Sequence, residues 1–136
     1  MKFKILAIEH VAIAFNELEA PSEFFGKILG INNTSTEIVK DQGVTTDIFD
    51  TGAGKIELLE SIHEDSSITR FLSKRGNSVH HIAFRVDNLQ LAIDELSDKN
   101  IEFVDQVPRI GAEGMLIAFL HPKSTSGILI ELCQKP

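Results

Sequence analysis

The sequence predicts an α+β fold built from two tandem β-α-β-β-β modules that form an open, curved mixed sheet around a central cleft. Three observations carry this expectation. A histidine-bearing strand occurs twice with the same parity. Each half of the chain closes on a strand with a glutamate at the matched place. Between them the order of strand and helix periodicities repeats.

The first histidine strand is Glu9-His10-Val11-Ala12-Ile13-Ala14-Phe15. Val11, Ile13 and Phe15 share one face, and His10, Ala12 and Ala14 share the other. The second is Ser78 to Val86, where Ile82, Phe84 and Val86 oppose His81 and Ala83. A histidine followed by small residues on one strand face points to a hollow rather than a filled core. The closing strands are Lys55-Ile56-Glu57-Leu58-Leu59 and Leu129-Ile130-Glu131-Leu132-Cys133. His10 precedes Glu57 by 47 residues and His81 precedes Glu131 by 50, so the polar pair belongs to the repeat.

The elements follow in order. Residues 3–15 read as the first strand. Asn16 to Gly30 carries Phe24, Phe25, Ile28 and Leu29 at helical spacing, with Pro21 near its start and Gly30 at its end. Ile31 to Lys40 is a polar, β-branched strand, and Asp41-Gln42-Gly43 a turn. Val44 to Asp50 is a strand, Thr51 to Gly54 a hairpin loop, and Lys55 to Glu60 the strand that ends module one, residues 3–60. Residues 61–77 connect, with a short helix that sets Ile68, Phe71 and Leu72 on one face behind a Ser66 or Ser67 cap. Module two, residues 78–134, repeats the order. Ser78–Val86 is a strand. A helix opens on a capping box of Asp87 and Gln90 and buries Leu89, Ala92, Ile93 and Leu96. Strands follow at Ile101–Asp105, Leu116–Leu120 and Gly127–Cys133, with Pro108–Gly114 as a loop. Neither module buries both faces of its sheet alone, so residues 1–136 read as a single domain.

Composition narrows the function classes. A chain of 136 residues supports one real core. No apolar run is long enough to span a bilayer, and the N-terminus shows no signal-peptide pattern. The single Cys133 excludes an internal disulfide framework, so a reducing, cytoplasmic setting is the simplest reading. The net charge of −7 argues against nucleic acid or an anionic membrane as main partner. It leaves room for a phosphorylated small molecule met by a local basic patch such as Arg70, Lys74 and Arg75, which otherwise read as a solvated helix face.

If the modules pair about a pseudo-twofold axis, His10, Glu57, His81 and Glu131 converge. Imidazole and carboxylate together suit a divalent transition metal with open coordination positions. Thiolate is absent apart from Cys133, which argues against a structural zinc site. Taken singly, each of the four is an ordinary strand residue. The joint pattern carries the assignment, because four polar side chains on a concave face are costly without a partner.

Glu9-His10-Val11-Ala12-Ile13-Ala14, Lys55 to Glu60, Asp65-Ser66-Ser67-Ile68 with Phe71-Leu72, and His80-His81-Ile82-Ala83-Phe84 carry a family resemblance. So do Val107-Pro108-Arg109, Phe119-Leu120-His121-Pro122-Lys123-Ser124 and Gly127 to Leu132. Over nearly its whole length the chain resembles the vicinal oxygen chelate superfamily and, within it, the methylmalonyl-CoA epimerase family. The resemblance implies that His10, Glu57, His81 and Glu131 bind a divalent ion, cobalt first, with zinc, manganese or nickel as alternatives. His81 rather than His80 is the implied ligand, since it aligns with His10. The implied substrate is methylmalonyl-CoA, the implied assembly a homodimer, and the implied reaction abstraction and return of the α-proton through an enolate. Glu131 is the implied proton carrier. Thr46, His121, Lys123 and Ser124 are the candidate substrate-binding residues. Some relatives carry a second acid three residues after Gln-Gly. Here Gln42-Gly43 leads to Thr46, and Asp47 has the opposite parity, so the second base stays open between Glu57 and a water held by Thr46.

Two other readings share the fold. A glyoxalase I-type lactoylglutathione lyase uses a similar ligand set and also moves a proton. A metal-free small-molecule binding module leaves the four matched polar residues without a role. An iron-dependent ring-cleaving dioxygenase fits less well, because both carboxylate positions are filled here.

Overall fold

Alternation sets the strands, and hydrogen bonding between them fixes which residues face each other. The structure is a computed structural model that describes residues 1–136. Its elements are β1 (Ile5–Ala14), α1 (Glu19–Glu23), β2 (Asn32–Val39), β3 (Val44–Asp50), β4 (Lys55–Ser61) and α2 (Ser67–Arg75). They continue with β5 (Ser78–Val86), α3 (Leu89–Asp98), β6 (Arg109–Ile110), β7 (Leu116–Leu120) and β8 (Ile130–Gln134). No helix is long and apolar enough to cross a membrane.

The chain divides into two compact units, His10–His80, and Met1–Glu9 together with His81–Pro136. The division falls inside β1, so the first residues of that strand group with module two rather than with module one. The connector, residues 61–77, groups with module one.

In the first unit the strand order is β2-β3-β4-β1, with β1 parallel to β4 and the other pairs antiparallel. One face carries Ile13, Phe15, Ile56, Leu58 and Phe49, covered by Leu18 and Phe25. Gly26 lies so close to this layer that a Cβ there would meet Cε1 of Phe49 at 3.2 Å. The helix expected over Asn16 to Gly30 is α1 followed by a widened π-type turn at Phe24–Ile28, in which Leu29 N–H donates to Phe24 O at 2.9 Å. Such turns interrupt helices where side-chain packing overrides the regular ladder. The opposite face buries His10, Ala12 and Ala14. At one end α2 closes it, packing Ile68 and Leu72 on Ala12, Ala14, Val44 and Leu59. Ser66 caps α2 as the sequence implied, accepting from Thr69 N–H at 3.1 Å.

In the second unit the order is β5-β8-β7-β6, again with the first pair parallel. Helix α3 supplies Leu89, Ala92 and Ile93 to a core with Val86, Phe103, Ala118, Leu120 and Leu132. Three local expectations differ here. The cap of α3 is Asn88, whose Oδ1 accepts from Leu91 N–H at 3.0 Å. Asp87 instead accepts from Lys4 N–H at 2.8 Å, and Gln90 bonds Asp94 at 3.0 Å, so no capping box forms. Ile101–Asp105 is not a strand. Only Phe103 bridges to Leu120, and the edge pairing passes to β6 beyond Pro108, which has no N–H to donate. The last strand begins at Ile130, because Gly127 at φ +91 and the preceding turn occupy the first of the expected residues.

Candidate functional site

The two histidine strands position their side chains by the same device. In module one Ala12 pairs with Glu57 in parallel register, and in module two Ala83 pairs with Glu131. Each histidine stands two residues before its alanine, on the same face. The alanines are fully buried and leave the space into which imidazole and carboxylate lean. His10 Nδ1 comes within 3.0 Å of Glu57 Oε2, and His81 Nε2 within 3.3 Å of Glu131 Oε1. All four side chains are at most 8% exposed.

Burial decides the charge state of His81. Removal from water lowers the His81 imidazole from its ordinary 6.5 to about 3, so the ring is neutral at physiological pH. A neutral imidazole nitrogen facing a carboxylate oxygen needs a proton or a cation between them. Imidazole nitrogen and carboxylate oxygen, at 3.0 and 3.3 Å in the two pairs, are donor types that suit a divalent transition metal. The donor set therefore fits a divalent ion. Each module pairs one imidazole with one carboxylate, and no thiolate lies in either pair.

Around these pairs the sheet faces differ. In module two Phe119, directly across from Glu131, sets its ring edge-on to His81 at 5.2 Å between centroids. Cys133 and Ile117 continue the same buried face. In module one Thr46 is almost wholly buried, directly across from Leu59 on one side and Glu37 on the other. Asp47 points to the opposite face, where Ser22 and Thr36 bond its carboxylate. His80 likewise turns away from His81, its ring edge-on to Phe71 at 4.8 Å.

His121, Lys123 and Ser124 form a tight turn after β7, at the end of β8 that meets Ile82. His121 Nδ1 accepts from Lys123 N–H at 3.2 Å, Lys123 Nζ reaches Glu102 at 2.9 Å, and Ser124 Oγ accepts from Glu102 N–H at 3.0 Å. Lys123 and Ser124 thus hold the turn to the segment before β6, and the His121 ring closes the turn on itself. Of the basic residues on α2, Arg70 donates to Asp65 O at 2.5 Å and Arg75 lies over the Phe71 ring at 5.5 Å.

Three residues near these pairs or at matched register were given no role by the sequence. Phe119 is set by β7 register. Glu37 and Arg109 occupy the same register position in the two modules, opposite Thr46 and Ile117 respectively. Arg109 also meets Asp105 at 3.0 Å. No local pattern marks them, since β2 is polar from Asn32 to Glu37 and β6 has two residues.

Residues 9–119 match the family model described as the Glyoxalase/Bleomycin resistance protein/Dioxygenase superfamily. The chain is 38% identical over 128 residues to the human mitochondrial methylmalonyl-CoA epimerase, covering 93% of this chain and 73% of that one. It is 36% identical over 129 residues to the ethylmalonyl-CoA/methylmalonyl-CoA epimerase of Cereibacter sphaeroides, covering 93% and 96%. Among solved structures, a methylmalonyl-CoA epimerase in complex with methylmalonyl-CoA and NH4+ superposes with a TM-score of 0.92 at 35% identity, covering 97% of this chain and 96% of that one. With its repeated His-x-Ala strands and their partner glutamates, the chain belongs to the methylmalonyl-CoA epimerase family of that superfamily.

Proposed function

We propose that this protein is a metal-dependent epimerase that interconverts the (R) and (S) epimers of methylmalonyl-CoA. The observation that carries the reading is the repeated imidazole–carboxylate pair, buried in each module with nitrogen and oxygen 3.0 and 3.3 Å apart. The kinship with named epimerases supplies the substrate.

His10, Glu57, His81 and Glu131 would hold one divalent ion, with His10, His81 and Glu131 each offering a buried donor atom. Imidazole and carboxylate without thiolate suit cobalt, zinc, manganese or nickel, and cobalt is the first choice. When bound, such an ion supplies Lewis-acid polarisation of the thioester carbonyl, which makes the α-hydrogen acidic enough to remove. The protein's own groups do the rest. The buried faces around Ala12 and Ala83 exclude bulk water from the pairs. Phe119 fixes the His81 ring. Glu131, with one oxygen turned to His81, takes the α-proton at its other oxygen. Thr46 and the His121–Ser124 turn are the places for substrate contacts. The homodimer that the family resemblance implies would cover Ile5, Leu6 and Ile8, which β1 leaves about half exposed, and sedimentation reads its mass.

The test is exchange of the α-proton of methylmalonyl-CoA in deuterated water. Metal-loaded protein exchanges it and interconverts the epimers. Glu131→Gln lowers interconversion by ~100-fold or more. Full exchange by chelator-treated protein shown to hold no metal would overturn the mechanism. Glutathione-conjugate turnover without any CoA-thioester activity would favour the glyoxalase I reading instead.

A further inference from the structure

Inverting a carbon centre requires a proton to leave one face and another to arrive at the opposite face, so the proposed reaction needs a second proton carrier besides Glu131. The inference below rests on that reading. Module one supplies few candidates. Strand register puts Glu57, Lys55, Asp50 and Glu37 on the His10 face of its sheet. Asp50 and Lys55 stand opposite each other beside the hairpin at residues 51–54. Glu57 is drawn to His10.

Glu37 remains. It pairs directly with Thr46, and Thr46 pairs directly with Leu59, two residues along β4 from Glu57. Directly opposed residues project to one side of a sheet, so the Glu37 carboxylate rises from the same face as His10 and Glu57. Burial agrees. Ser35, Glu37 and Val39 are half-buried, while Thr36 and Ile38 between them are exposed. Thr46 beside it is buried and adds a hydroxyl to this part of the face.

The repeat sharpens the point. The modules match at the proposed ligand positions, histidine with histidine and glutamate with glutamate. At the position of Glu37 they differ, because the equivalent residue of module two is Arg109. Only the first module can offer a proton-transferring carboxyl there.

We infer that Glu37 is the second proton carrier. In one direction the Glu131 carboxylate takes the α-proton, and the C–H electron pair moves into the thioester as an enolate. The protonated Glu37 carboxyl then gives its hydrogen to the opposite face of the α-carbon, and the enolate π pair becomes the new C–H bond. The product is the other epimer, with Glu131 protonated and Glu37 ionised. Reverse turnover or exchange with water restores the starting state.

The test compares Glu37→Gln with the unsubstituted metal-loaded protein on each epimer of methylmalonyl-CoA in deuterated water. Glu37→Gln is expected to lose interconversion by ~100-fold or more while still exchanging the α-proton of one epimer. Glu37→Asp, which keeps a carboxyl, recovers part of the interconversion and guards against a folding defect. Interconversion by Glu37→Gln at the unsubstituted rate would overturn the assignment, as would equal loss of exchange with both epimers. If the unsubstituted protein itself fails to interconvert them, the epimerase reading falls and this inference with it.

Discussion

His10 Nδ1 and Glu57 Oε2 meet at 3.0 Å on a face where neither is more than 8% exposed. Two such groups stay together without water only with a proton or a cation between them. Removing one should therefore act on metal affinity. Glu57→Ala and His10→Ala are each expected to weaken cobalt or zinc binding by ~100-fold or more, since loss even of groups behind a ligand costs ~10–100-fold. Titration calorimetry on chelator-treated protein reads the change. An unaltered dissociation constant in both variants would remove these residues from the site. Added metal should also raise the stability of the unsubstituted protein by about 2.7 kcal/mol at a hundredfold excess over its dissociation constant.

The His81 imidazole, lowered by burial from 6.5 to about 3, makes stability depend on pH. The folded protein keeps the ring neutral, whereas the unfolded chain protonates it below 6.5. Between those values the unfolded state binds the extra proton, so stability rises with pH across the window and is unaffected by this group above it. Each unit of pH lost inside the window costs about 1.4 kcal/mol. Urea unfolding of metal-free protein at pH 6.5, 5.5 and 5.0 measures the slope, above the range where carboxylates dominate. His81→Gln should flatten it. An equal slope in that variant would show that another group is responsible.

Asn88 rather than Asp87 starts α3, with its side chain 3.0 Å from Leu91 N–H. Asn88→Ala should cost about 1 kcal/mol of stability. Gln90→Ala, which removes only an exposed contact with Asp94, should stay within about 0.5 kcal/mol. Urea midpoints at constant slope distinguish the two. A larger loss for Gln90→Ala would restore the capping box that the sequence implied.

Much of the site was legible because it lies on strands with one buried face. The two-residue period assigns His10 and His81 to the same side as their alanines, and it sets His80 and Asp47 on the other. Helix α2 and its serine cap were legible for a similar reason, since both depend on residues within one turn. The cap of α3 was displaced by one residue because Asp87 found a distant partner, Lys4 N–H, that no local pattern reveals. The strand expected at Ile101–Asp105 failed because an edge strand needs continuous pairing with β7. Its place there is divided between a single bridge at Phe103 and the two residues of β6.

The sequence by itself determined the doubled module, the parity of each strand and the four polar residues that recur with it, because these follow from periodicities of two to four residues along the chain. Only the tertiary structure decided which residues stand opposite one another across the strands: Ala12 with Glu57, Ala83 with Glu131, Phe119 with Glu131, and Glu37 with Thr46. Strand register is set by hydrogen bonds and packing between segments far apart in sequence. A slip of one residue would carry every side chain of a strand to the other face.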